Sequence, residues 1–379
     1  MPLELHQALR VQVTPKEEGK FMRARFKWYV LSSLCLSLGF SACGADIQKK
    51  KPSSGGENGP GLGADENPPP PVPPKTPAVD TIHSRLYVAS TASRTIAMYK
   101  MDGTFVGFID MTSTGSGFVT AMTWLDKNTM LAFFDPGSSG ERIVKISFSS
   151  DANYTINGSW YADSVNLSGV SVTKMFSLGF AQSPVVLIAK NTGILEAFFT
   201  NSAYSLAARS GSPYINSQTA CPLTTTAFVS KNPAGDRTII ASNGTNARLN
   251  VYASDKSCLG SYNFATSFPG ATNFSVAGLV VTKDSIFVRY QNSTSPMIVK
   301  CKFDGTTISA CGALVNDVGA LGVNASSKEL VMDEASNLMY FPNWDTGAVM
   351  QVNAVTGYVA PFVRDVFTTS VGSISIRPQ

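Results

Sequence analysis

From His83 onward, short apolar runs alternate with clusters of Gly, Asn, Asp and Ser. No stretch holds a 3.6-residue hydrophobic period beyond about three turns, so the pattern predicts strands and tight turns rather than helices. One strand type recurs most visibly: Arg85 to Ser90, Met130 to Phe134, Val185 to Ala189, Thr238 to Ser242, Ser285 to Tyr290 and Leu338 to Phe341. Their starts lie roughly 45 to 55 residues apart, the period of a propeller blade.

A further strand follows each of these: Thr95 to Lys100, Arg142 to Phe148, Ile194 to Phe199, Arg248 to Tyr252, Met297 to Lys302 and Ala348 to Val352. Fourth strands come after turns, of which Asp102-Gly103 and Asp304-Gly305 are the clearest, because the pair accepts the positive φ of a tight hairpin. First strands precede at Val119 to Trp124, Lys174 to Phe180, Thr226 to Lys231, Val276 to Thr282 and Glu329 to Asp333. The first unit has no such strand of its own, whereas the C-terminus ends with a spare one, Gly372 to Ile376. Feeding it into the first unit would close a ring and hide two sheet edges. The expected fold is therefore an all-β propeller over 83–379, with six four-stranded blades closed by the C-terminal strand. A β-sandwich or two-domain β protein is the alternative. Segments such as Arg85-Leu86-Tyr87-Val88-Ala89-Ser90 with Thr95 to Gly107, and Leu338-Met339-Tyr340-Phe341 with Thr346 to Val352, resemble six- or seven-bladed propellers of the NHL and YVTN kind. That resemblance implies architecture and transfers no active site.

The N-terminal part has a different texture. Arg23, Arg25 and Lys27 precede an apolar run from Trp28 to Phe40, followed by Ser41-Ala42-Cys43. A basic region, a short apolar core and small residues make a secretory signal, and the run is shorter than the roughly 20 residues of a membrane span. The segment Leu38 to Cys43 resembles the signal of bacterial lipoproteins. The resemblance implies cleavage between Ala42 and Cys43, and lipidation of Cys43. Phe40 departs from the usual Leu, and Gly44 implies outer-membrane sorting. Residues 1–42 are then signal, with Met22 a better start than Met1 because Glu4, Glu17 and Glu18 suit no n-region. Residues 43–82, with Pro68-Pro69-Pro70-Pro71 and Pro73-Pro74, hold almost nothing to bury and are expected to be a disordered tether.

Charge narrows the partners. The formal net charge is +4, but six basic and three acidic residues precede Cys43, leaving 24 against 23 in the remainder. A near-neutral body lacks the basic stripe of a nucleic-acid binder. Beyond Cys43 four cysteines remain, Cys221, Cys258, Cys301 and Cys311, an even count that suits disulfides in an exported protein. Cys301 and Cys311 flank the Asp304-Gly305 turn, and Cys221 with Cys258 is the pair left over. A two-residue loop would set Cys301 opposite Ile308, so this pairing needs a longer loop or a bulge.

The mature body has a single histidine, His83, and lacks a phosphate loop, dinucleotide fingerprint or nucleophile elbow. Its carboxylates Asp333, Glu334 and Asp345 offer a weak Ca²⁺ site of the kind found in gluconolactonase-like propeller hydrolases. Trp160, Tyr161, Tyr340 and Trp344 read mainly as blade packing. The leading expectation is a non-catalytic, membrane-anchored envelope module that needs no cofactor and binds a protein or glycan. The alternative is a Ca²⁺-dependent hydrolase.

Overall fold

The computed structural model describes residues 84–378 apart from short stretches, the longest being 158–171 and 178–184. Ala42, Cys43, the tether, His83, Trp160 and Tyr161 lie outside the described residues.

The strands are antiparallel and fall into four-stranded sheets, all but the first a sequential meander. The first sheet takes β1 (Arg85–Ser90), β2 (Thr95–Lys100) and β3 (Phe105–Asp110). The second runs β4 (Phe118–Asp126), β5 (Thr129–Asp135), β6 (Arg142–Phe148) and β7 (Tyr154–Asn157). The third is β8 (Val172–Ser177), β9 (Val185–Lys190), β10 (Leu195–Thr200) and β11 (Leu206–Ala208). The fourth is β12 (Thr226–Lys231), β13 (Thr238–Ser242), β14 (Arg248–Tyr252) and β15 (Cys258–Asn263). The fifth is β16 (Ser275–Val281), β17 (Ser285–Gln291), β18 (Met297–Phe303) and β19 (Ile308–Val315). The last contains β20 (Val331–Asp333), β21 (Leu338–Asn343), β22 (Ala348–Asn353) and β23 (Val359–Val363).

The final strand, β24 (Val371–Ile376), leaves this last sheet and pairs with β1, giving the order β24-β1-β2-β3. Each sheet thus starts from one inner strand, and these touch in turn from β24 through β4, β8, β12, β16 and β20 back to β24. The result is an all-β propeller of four-stranded blades. Five of these sheets have described side chains; β8–β11 is described by its backbone pairing alone.

The strand chemistry follows from this packing. A blade's middle strands are covered on both faces, so β5 and β17 read as nearly continuous apolar runs rather than alternating ones. Outer strands such as β3 and β19 are largely exposed or half-buried. The apolar clusters accordingly mix residues of adjacent blades. Tyr87, Ile96 and Met98 pack with Trp124, Met130 and Phe148, while Leu86, Val88 and Tyr99 pack with Tyr340, Val349 and Phe362. Each fully buried Phe or Leu contributes roughly 1.5–3 kcal/mol relative to exposure.

Near the start of the inner strand, the register against the second strand slips by one residue in five sheets, at Thr120, Thr173, Ala227 and Ala277 and, in β24, between Val371 and Ile374. Such bulges bend and twist a strand locally.

Both disulfide pairs form. In the fifth sheet Phe303 faces Ile308 and Lys302 faces Ser309, but Lys300 faces Gly312. A four-residue loop and a bulge at Ala310, whose φ is +46, carry Cys311 round to Cys301. Cys221–Cys258 ties the segment before β12 to the start of β15, and Gln218 reinforces it by accepting from Cys258 N at 3.0 Å.

Candidate functional site

The turns joining first to second strands and third to fourth strands emerge on one face of the ring. In the fourth blade, loop 232–237 is built by its own side chains. Asn232 Nδ2 donates to Asp236 Oδ1 at 2.8 Å, and Asn232 Oδ1 accepts from Arg237 N at 2.9 Å. That amide, more than the Arg237 guanidinium 2.7 Å away, holds the Asp236 carboxyl below its usual range. Arg237 Nε then reaches the next blade, donating to Gly305 O at 2.9 Å. There Asp304 Oδ1 accepts from Thr307 N and Thr306 N at 2.6 and 2.9 Å, and the backbone bond from Thr307 is foremost in lowering its pKa.

Between these loops lies a cleft of about 340 Å³ that includes Asn232, Asp236, Arg237, Lys283, Asp284 and Asp304 in its lining. A second cleft of about 260 Å³ lies one blade further on, with Lys283 and Asp284 again, and with Lys300, Glu334 and Asn337. Its floor includes Phe287 and Met332. Lys300 Nζ sits 5.4 Å from the Phe287 ring centroid and donates to Ala354 O at 3.2 Å, so its stem covers apolar surface while its charge is held by the backbone. The two-residue corner Lys283-Asp284 therefore divides one polar groove into two compartments.

Of the proposed Ca²⁺ ligands, only Glu334 lines this groove. Asp333 caps its own turn, accepting from Ser336 Oγ at 2.6 Å and Ala335 N at 3.2 Å. Asp345 lies beyond the other end of β21. Asp333 pairs with Leu338 and Asn343 is five residues further along, a separation of roughly 17 Å at about 3.4 Å per residue. The three carboxylates do not form one site; neighbours in sequence were parted by the length of the strand between them. Among the described residues no group of three His, Cys, Asp or Glu side chains is placed to hold a metal ion. Tyr340 is buried against Phe362, ring centroids 4.8 Å apart, as packing requires.

Asp345, itself exposed, acts instead through its charge on a buried arginine between the last two blades. Arg289 is fully buried, stacks 4.8 Å from the Phe341 centroid and donates to Leu321 O at 3.2 Å. Burial lowers its pKa to about 9, opposed by the charges of Asp345 and Glu329, so it remains cationic at neutral pH. This arginine sits in an apolar strand, Ser285-Ile286-Phe287-Val288-Arg289-Tyr290, and a charge at an inward strand position was the available signal.

No protein-family model and no curated protein matches the chain. Among solved structures, a chain of the nidogen/laminin complex aligns with a TM-score of 0.53 at 9% identity, covering 78% of this chain and 99% of that one. A functionally unknown protein from Desulfotomaculum acetoxidans gives 0.52 at 13% identity, covering 77% and 98%. A putative 6-phosphogluconolactonase from Bacteroides fragilis stands lower, at 0.46 and 11% identity over 76% and 82%, too distant to carry weight. The first two share the fold of this chain, and at such identity they speak to fold alone.

Proposed function

We propose that the chain is an envelope lipoprotein, held at the outer membrane through lipid on Cys43, whose propeller is a non-catalytic binding module for a protein or glycan. The observation that supports the binding role is the divided groove around Lys283-Asp284, with its fixed loops and polar lining. Concave sites with a few convergent polar groups on a rigid scaffold are where ligands bind. The anchor rests on the sequence: the run ending Ala42-Cys43, then a proline-rich tether long enough to hold the ring off a lipid surface. Several acyl chains on one cysteine give stable attachment, at about 0.8 kcal/mol per buried CH₂.

The test has two arms. Tagged protein purified from membranes should carry an acylated Cys43 at its N-terminus, and Cys43→Ala should move it to the soluble fraction. Wild-type protein should capture an envelope component that Asp284→Lys does not, with the melting temperatures of the two proteins equal. Full membrane retention of Cys43→Ala would overturn the anchor; undiminished capture by Asp284→Lys would overturn the groove.

A further inference from the structure

We infer that the two clefts are successive subsites for one linear, neutral oligosaccharide, each taking a single sugar unit. This deepens the binding role proposed above and rests on it. The first argument is repetition. The first cleft lies among the first-turn loops of the fourth and fifth blades and the second-turn loop of the fifth, 304–306. The second lies among the first-turn loops of the fifth and sixth blades and the second-turn loop of the sixth, 354–355. The same three loops recur one blade on, so the compartments are related as the blades are. A ligand that fills both in the same way has a repeating unit of its own.

The lining argues for hydroxyl-rich chemistry without net charge. The first cleft sets Asp236, Asp284 and Asp304 against Arg237 and Lys283, and the second sets Glu334 and Asp284 against Lys283 and Lys300. Several of these charges are already engaged: Asp236 by Asn232 and Arg237, Asp304 by its own turn, Lys300 by Ala354 O. The second cleft balances two acids against two bases, and the first exceeds balance by a single acid, so neither presents the strong one-signed field that would select an ion. Carboxylates keep spare lone pairs when they accept one or two bonds, and lysine and amide groups keep spare N–H. Such mixed acceptors and donors match sugar hydroxyls, each of which both gives and takes a hydrogen bond.

Size and edges argue against the alternatives. At about 340 and 260 Å³ the compartments lie near or below the lower limit for drug-sized ligands, about 300 Å³. An extended peptide would seek main-chain bonds along an exposed strand edge, whereas these linings are dominated by loop residues and inward side chains.

The experiment is calorimetric titration with α-1,4-glucose, β-1,4-glucose and β-1,4-N-acetylglucosamine oligomers of one to four units. In one series affinity should rise about tenfold or more from one unit to two or three, and then level, as a second linked contact does. Ala234→Trp plugs the first cleft and Val355→Trp the second. Both residues are exposed, Val355 at 67%, so folding should be unaffected, checked by circular dichroism. Each plug should abolish the gain with length and leave single-unit binding at the other cleft. Length-independent affinity, or no binding in any series, overturns the oligosaccharide. If the plugs then still block capture of an envelope protein, the groove stands as a protein-binding face. If they alter neither, both readings fail.

Discussion

Arg377 Nη1 lies 3.1 Å from Asp151 Oδ1, joining the residue after the last strand to the second blade. The other carboxylate oxygen takes Arg85 Nη2 at 2.7 Å, so one side chain grips both β-segments that meet in the closing sheet. Arg377 is fully buried, stacks 4.6 Å from the Phe148 centroid and donates through Nε to Lys127 O at 2.6 Å. Removing one partner of a buried pair leaves a charge without compensation, a loss of about 3–5 kcal/mol. Asp151→Ala is expected to lose about 3 kcal/mol in urea unfolding, and Arg377→Met added to it should recover part of this. Equal stability of wild type and Asp151→Ala would show that the latch does not hold the ring.

The alkaline limit should come from tyrosines. Burial pushes Tyr87, Tyr252 and Tyr340 up to about 12, with Arg377 partly opposing this at Tyr87. A phenol whose folded pKa lies above its unfolded value of about 10 favours the folded state fully below pH 10. The unfolded chain sheds its protons first, so stability falls as pH rises from about 10 to 12. Phenolate absorbance should show these groups ionising together with loss of the β signal, and Tyr87→Phe should make the fall shallower by one proton. Three phenols titrating near 10 with the fold intact would refute this.

The strand pattern was legible because the second strand of each blade with described side chains is buried on both faces and reads as an uninterrupted apolar run. Arg85–Ser90 and Thr238–Ser242 are observed with the boundaries the pattern gives. The spare C-terminal strand was legible for a related reason, since an apolar strand must find a partner. The latch was not. Asp151 and Arg377 are 226 residues apart, and a charge in a turn looks the same whether solvated or gripped. The groove was hidden too: Lys283-Asp284 is an ordinary polar corner until the ring places it between two others. Asp333, Glu334 and Asp345 failed as a cluster because sequence proximity ignores the strand between them.

The disulfides should differ in worth. Crosslinks separated by 10 and 37 residues remove about 3 and about 4 kcal/mol of chain entropy from the unfolded state, on the loop-closure account. Cys221→Ser with Cys258→Ser should therefore cost more in urea unfolding than Cys301→Ser with Cys311→Ser. The shorter bridge spans a hairpin whose register the bulge at Ala310 already sets, so losing it should leave the melting transition cooperative. The reverse order of costs would mean that the bridge, not the strand pairing, fixes the register of β18 and β19.

Gly278 tests how closely the inner strands approach. It follows the bulge at Ala277, whose carbonyl accepts from Glu329 N at 2.6 Å, so the fifth and sixth blades meet here backbone to backbone. A Cβ on Gly278 would lie 2.5 Å from Leu330 Cβ and 2.6 Å from Leu330 N, inside any real contact distance. The obstacle is main chain and a Cβ, which cannot rotate away, so the sixth blade itself would have to shift. Overpacking of this kind costs about 1–3 kcal/mol. Gly278→Ala is expected to fall at or above the upper end, while Gly312→Ala, with nothing within 4 Å of its Cβ position, should change stability little. Urea unfolding of the two variants decides it: equal effects would mean that the seam between these blades yields, and that closure of the ring does not depend on this contact.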